Sequence, residues 1–127
     1  MNLDSKKLLI DRYLAAYNNF DIEGMLETLS EDVRFENVQS GEINASANGK
    51  GEFKALAIQA KSLFSEREQT IKNVKNGSRN TIVNISYFGI FAADMPNGMK
   101  AGDKINLEGI SEFTFSNNRI SSIRDIS

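Results

Sequence analysis

The sequence predicts an α+β fold: three N-terminal helices packed on a strongly curved antiparallel sheet, a cone-shaped barrel with a pocket between the layers. Two observations carry this reading. Apolar residues at helical spacing fall mostly in the first half of the chain, whereas alternating patterning dominates after residue 66. The second half also contains two tight turn signals, Asn76-Gly77-Ser78 and Ser116-Asn117-Asn118. A bent sheet facing one long helix leaves a hollow, and ligand pockets favour such places.

The elements follow in order. Leu3, Leu8, Leu9, Tyr13, Ala16 and Tyr17 share one face of a first helix, which Asp4 or Ser5 can cap. Asn18-Asn19 ends it. Asp21 caps a short second helix over residues 22–29, with Met25, Leu26 and Leu29 inward. Val33, Phe35 and Asn37 then alternate with Arg34, Glu36 and Val38, which is strand periodicity and places Asn37 beside Val33 and Phe35 on the inner face. Residues 39–51, rich in Gly, Ser, Asn and Ala, read as a loop. A third helix spans residues 52–65, with Phe53, Leu56, Ala57, Ala60, Leu63 and Phe64 as its buried stripe. Strands are expected over residues 67–75, 80–91, 104–115 and 119–126. The segment 94–103, with the only proline, Pro96, is a loop.

Composition narrows the chemistry. The 127 residues suit a single domain, residues 1–127, and a net charge of −2 without long like-charge blocks argues against nucleic-acid binding. There is no cysteine and no histidine. Disulfides and thiolate chemistry are excluded, the commonest metal ligands are missing, and acid–base work falls to Asp, Glu, Tyr or Lys. No metal or cofactor is expected. The N-terminus lacks a signal-peptide core, and no apolar run approaches the roughly 20 residues that span a bilayer. A cytoplasmic protein that does not engage membranes is expected.

Several segments carry a resemblance: Arg12-Tyr13-Leu14-Ala15-Ala16, Phe20-Asp21-Ile22-Glu23-Gly24-Met25, Asp32-Val33-Arg34-Phe35-Glu36-Asn37, Gly49 leading into the third helix, and Gly109-Ile110-Ser111-Glu112-Phe113-Thr114-Phe115 followed by Asn118-Arg119-Ile120. Together they resemble the nuclear-transport-factor-2-like superfamily over nearly the whole chain, especially its SnoaL-like polyketide cyclase and ketosteroid isomerase branches. The resemblance implies a cystatin-like cone. The isomerases of this family use a carboxylate base, a tyrosine donor and a protonated carboxylic acid as second donor. Carried over, the tyrosine falls on Tyr13, the base on Asn37 and the second donor on Ser111. An amide cannot accept a proton at neutral pH, and Ser111 can only hydrogen-bond.

The expected ligand-binding residues are therefore Tyr13, Tyr17, Asn37, Phe53, Phe88, Ser111 and Phe113, around a small apolar ligand bearing oxygen. No acid is expected among them. Asp94 and Asp103 read as loop residues, and Asp125 as a surface residue near enough to the C-terminus to approach the pocket mouth. Val83, Ile85, Tyr87, Ile105 and Ile110 are read as an apolar outer face, which predicts a homodimer. Three functions fit the sequence. The favoured one is a non-catalytic small-molecule-binding protein. The second is an isomerase, cyclase or dehydratase with a displaced carboxylate from Asp125, Glu108 or Asp103. The third is an interaction module with a vestigial pocket.

Overall fold

The computed structural model describes all 127 residues. The order of elements is α1 (Leu3–Asn18), α2 (Ile22–Glu27), β1 (Leu29–Gln39), β2 (Glu42–Asn48), α3 (Gly49–Lys61), β3 (Phe64–Asn76), β4 (Thr81–Phe91), β5 (Lys104–Ser116) and β6 (Arg119–Ile126). The strands form one six-stranded sheet in the order β2-β1-β6-β5-β4-β3. The sheet curls around the helices without closing, because β2 and β3 remain edges. All pairs are antiparallel except β1 with β6, which run parallel. Register shifts at Asn37/Val38, Phe64/Glu66, Ile71/Asn73 and Thr114/Phe115 supply the bending.

The caps explain the helix boundaries. Asn2, rather than Asp4 or Ser5, caps α1, its Oδ1 accepting the Ser5 N–H at 2.8 Å. Asp21 caps α2 as expected, accepting the Gly24 N–H at 2.9 Å. The segment 39–51 is not a loop. Ser40 and Gly41, both left-handed (φ 52° and 80°), turn β1 directly into β2. Gly49, at φ 85°, then lets the chain leave β2 and enter α3, a conformation that costs a side-chain-bearing residue energy. The Glu52 carboxylate reaches back one turn and accepts the Asn48 N–H at 2.9 Å, which satisfies a donor at the helix start. This helix stops at Lys61 because Phe64 already belongs to β3.

The core joins Leu9, Ile10, Tyr13 and Leu14 of α1 and Ile22, Met25 and Leu26 of α2 to Val33, Val83, Ile85, Phe113, Ile120 and Ile123 of the sheet. The outer-face assignment therefore fails. Val83 and Ile85 are buried in this core, Tyr87 and Ile105 line the cavity, and of that set only Ile110 is exposed, at 39%. The convex face instead carries polar pairs: the Ser86 hydroxyl donates to Glu108 at 3.1 Å, and Glu36 sits between Arg34 (2.9 Å) and Arg124 (3.9 Å). No helix is long and apolar enough to cross a membrane.

Candidate functional site

A cavity of about 390 Å³ lies between the concave face of the sheet and helices α1 and α3. Tyr13 and Tyr17 stand one turn apart on the same side of α1, so both reach it. From α3 come Phe53, Leu56, Ala57 and Ala60; from the strands, Phe35, Ile85, Ile105 and Leu107. The wall is thus mainly apolar, interrupted by a few polar groups, as in small-molecule pockets generally.

The polar groups fall into two clusters. One is a row across the sheet. Cross-strand pairing sets Ala45 beside Asn37, Asn37 beside Asp125, Asp125 beside Ser111, and Ser111 beside Val83. Asn37, Asp125 and Ser111 all face the cavity. The Ser111 hydroxyl donates to Asp125 Oδ1 at 2.6 Å. Asn37 is turned toward the rim, its Nδ2 donating to Asn44 Oδ1 at 2.7 Å.

Asp125, read first as a surface residue, is the one of the three candidate carboxylates that lines the cavity. It is half-buried in the cavity wall. Burial raises its pKa from 3.8 to about 6, against the opposing effect of the Ser111 hydrogen bond. A period-two reading outward from buried Ile123 would have turned Asp125 inward too. The expectation of an acid-free lining is overturned. The other two proposed carboxylates stay outside: Glu108 accepts from Ser86 on the convex face, and Asp103 accepts the Lys100 N–H at 2.9 Å within its loop.

Tyr13 faces this row. Its ring packs edge-on against Phe113 (centroids 6.1 Å apart) and tilted against Phe53 (6.4 Å), which fixes its orientation. Its hydroxyl has no protein hydrogen-bond partner. Burial holds its pKa well above the ordinary tyrosine value, and the nearby Asp125 carboxylate adds to this, so it stays a proton donor to hydrogen bonds.

The second cluster lies one turn further along α1. The Tyr17 and Tyr87 hydroxyls are hydrogen-bonded at 3.0 Å, and both phenols are raised in pKa by burial. Arg67 stacks its guanidinium on the Tyr17 ring at 3.7 Å. Sequence patterning did not single out Arg67, which is flanked by Glu66 and Glu68 in a strand that reads as mostly exposed.

Of the seven residues expected to bind ligand, Tyr13, Tyr17, Asn37, Phe53 and Ser111 are brought together on the cavity wall. Phe113 is not on it; the ring is fully enclosed behind Tyr13 as core. Phe88 lies on the opposite face of β4, because inward positions on that strand are odd-numbered, and it borders a shallow outer groove with Asn18 and Phe20. No group of three carboxylates stands close enough to hold a metal ion.

A curled six-stranded sheet over three helices, with a largely apolar cavity into which the Asp125 carboxyl opens, defines an α+β protein of the cystatin-like class. The chain belongs to the SnoaL-like domain family, which matches residues 10–123. Its fold is shared by a candidate polyketide cyclase from Xanthomonas campestris pv. campestris (TM-score 0.83, 18% identity, covering 100% of this chain and 93% of that one). A candidate polyketide cyclase from Pseudomonas putida KT2440 is also similar (TM-score 0.72, 21% identity, 92% and 86% covered). So is a protein of ketosteroid isomerase-like fold from Catenulispora acidiphila DSM 44928, solved with trimethylamine (TM-score 0.74, 12% identity, 92% and 82% covered). No functionally curated protein matches the sequence.

Proposed function

We propose that this protein is an acid–base enzyme of the isomerase, cyclase or dehydratase type, acting on a small, largely apolar molecule that bears a carbonyl oxygen. The observation that carries this reading is the Asp125 carboxyl, set in the cavity wall with Ser111 as its hydrogen-bond donor and a pKa of about 6. Such a group is ionised near neutral pH yet returns a proton readily, which suits a general base and acid. In the proposed step the C–H bond next to the carbonyl breaks and its proton goes to Asp125. The electron pair forms an enolate, whose oxygen receives a hydrogen bond from Tyr13. Asp125 then returns the proton to carbon. The free hydroxyl of Tyr13, aimed at the same space, supports this assignment of roles.

Sharing a fold with candidate polyketide cyclases is compatible with this class but does not define the substrate. The binding-only reading rested on a lining without acid, and Asp125 removes that premise. The test is exchange of solvent deuterium into the carbon acid of a simple aryl ketone, followed by proton NMR. Wild type is expected to accelerate exchange and Asp125→Asn to lose at least about 100-fold of that acceleration. Equal rates in the two proteins would return the chain to the binding-only reading.

A second copy of the chain is kept as a proposed partner, on the exposed apolar side chains Leu107 and Ile110 at the cavity rim, 41% and 39% exposed. A monomer in light scattering at micromolar concentration would remove it.

A further inference from the structure

Arg67 is the only charged residue among the buried side chains, at 5% exposure. Its Nε donates to the Tyr17 carbonyl at 3.0 Å. The guanidinium lies flat against Tyr17 and 4.6 Å from the Phe20 ring. Its Nη2 is enclosed without any hydrogen-bond partner, and no carboxylate in the protein forms an ion pair with it. Glu66 and Glu68 flank it and border an outer groove that Arg67 also reaches, but neither forms an ion pair with it. A buried cation without a counter-charge is costly, and one hydrogen bond and two aromatic faces compensate only in part.

The surroundings hold this charge in place. Asn18, the last residue of α1, clamps β3 next to it: Asn18 Oδ1 accepts the Gln69 N–H at 2.7 Å, and its Nδ2 donates to the Gln69 carbonyl at 3.1 Å. Arg67 therefore lines the cavity beside the Tyr17–Tyr87 hydroxyl pair and Gln69. Those groups are all hydrogen-bond donors or carriers of one, and together with the guanidinium they make one end of an otherwise apolar chamber attractive to negative charge.

We infer that the ligand is an acid: a small apolar molecule whose carboxylate is received at Arg67, Tyr17 and Tyr87 while its carbonyl lies one helical turn away, at Tyr13 and Asp125. Four residues of helix separate the two tyrosines, a rise of about 6 Å. That spacing suits a keto acid with two or three carbons between its carbonyl and its carboxylate. The position assigned to the carbonyl rests on the proton-transfer reading above; the preference for an anion does not.

The experiment compares a series of keto acids, from levulinate to 3-benzoylpropionate, with the corresponding primary amides, which keep size and shape but lose the charge. Affinities for wild type, Arg67→Met and Arg67→Lys are measured by calorimetry. Wild type is expected to favour acids over amides by at least about tenfold, a gap typical of one charge-assisted hydrogen-bonded pair. Arg67→Met should erase the preference by weakening acids at least about tenfold more than amides, and Arg67→Lys should keep part of it. A purely structural Arg67 would weaken acids and amides alike. Equal affinity of acid and amide for wild type, binding by no member of the series, or a preference that survives in Arg67→Met would each overturn the inference. The wild-type comparison decides the matter even if Arg67→Met does not fold. Deuterium exchange into the amides, dependent on Asp125, would persist if only the anion site is wrong, and would be absent if the proton-transfer reading is wrong.

Discussion

Ser111 and Asp125 meet across the β5–β6 pair, and the serine hydroxyl donates to the carboxylate at 2.6 Å. A single neutral donor steadies the carboxylate without fully offsetting its burial. The acid therefore titrates at about 6, between an ordinary surface aspartate and one kept neutral.

This relationship sets the pH dependence of the proposed exchange reaction. The base is the ionised form, so the rate should rise through an apparent pKa near 6 and level off above it. The phenols of Tyr13, Tyr17 and Tyr87, all shifted upward by burial, add no inflection in that range. A pH–rate profile from 4.5 to about 8.5 by NMR checks this, and a profile flat through pH 6 would contradict it.

Stability should move the other way. Asp125 has a higher pKa folded than unfolded, so the folded state binds the extra proton and its contribution is fully present below about 4. It is lost as pH rises through about 6, by at most roughly 3 kcal/mol for a shift of this size. Asp125→Asn should abolish this part of the slope and melt higher than wild type at pH 8. Urea titrations at several pH values make the comparison.

Ser111→Ala removes the hydrogen bond that lowers the Asp125 pKa, so the inflection in the rate profile should move upward. The ionised protein should lose about 1–3 kcal/mol, the cost of leaving a buried acceptor unpaired, with a smaller loss at pH 4. A loss equal at both pH values would mean that the serine matters for packing rather than for the charge.

Tyr13→Phe separates catalysis from folding. The hydroxyl has no protein partner, whereas the ring packs on Phe53 and Phe113. Stability should change by less than about 1 kcal/mol while the exchange rate falls by about 10²–10³-fold, the usual cost of an oxyanion donor. An unchanged rate would remove Tyr13 from the proposed mechanism.

Much of this arrangement is legible in the chain. Helical spacing in residues 3–17, the Asp21 cap and the alternation of Val33, Phe35 and Asn37 each describe local geometry, and each appears in the fold as read. The strand β2 was not legible. Glu-Ile-Asn-Ala-Ser-Ala-Asn has weak strand propensity, and it is extended because β1 offers it a partner through a two-residue turn. The Ser40-Gly41 pair between Val38 and Ile43 was the available signal. Face assignment on β4 and β5 also failed for Val83 and Ile85, since apolar residues on both faces of a strand leave the alternation ambiguous until the partners are known.

By itself, the sequence determined that this is a helix-then-sheet fold without thiol or imidazole chemistry, because composition and periodicity are properties of the chain alone. Only the tertiary structure decided where its charges are buried. Asp125 became the acid between Asn37 and Ser111 because a parallel pairing with β1 and an antiparallel one with β5 brought three distant strands into one row. Arg67 lost its water because the end of α1 folded over it. Burial and neighbours set the chemistry of both groups, and neither can be read from spacing along the chain.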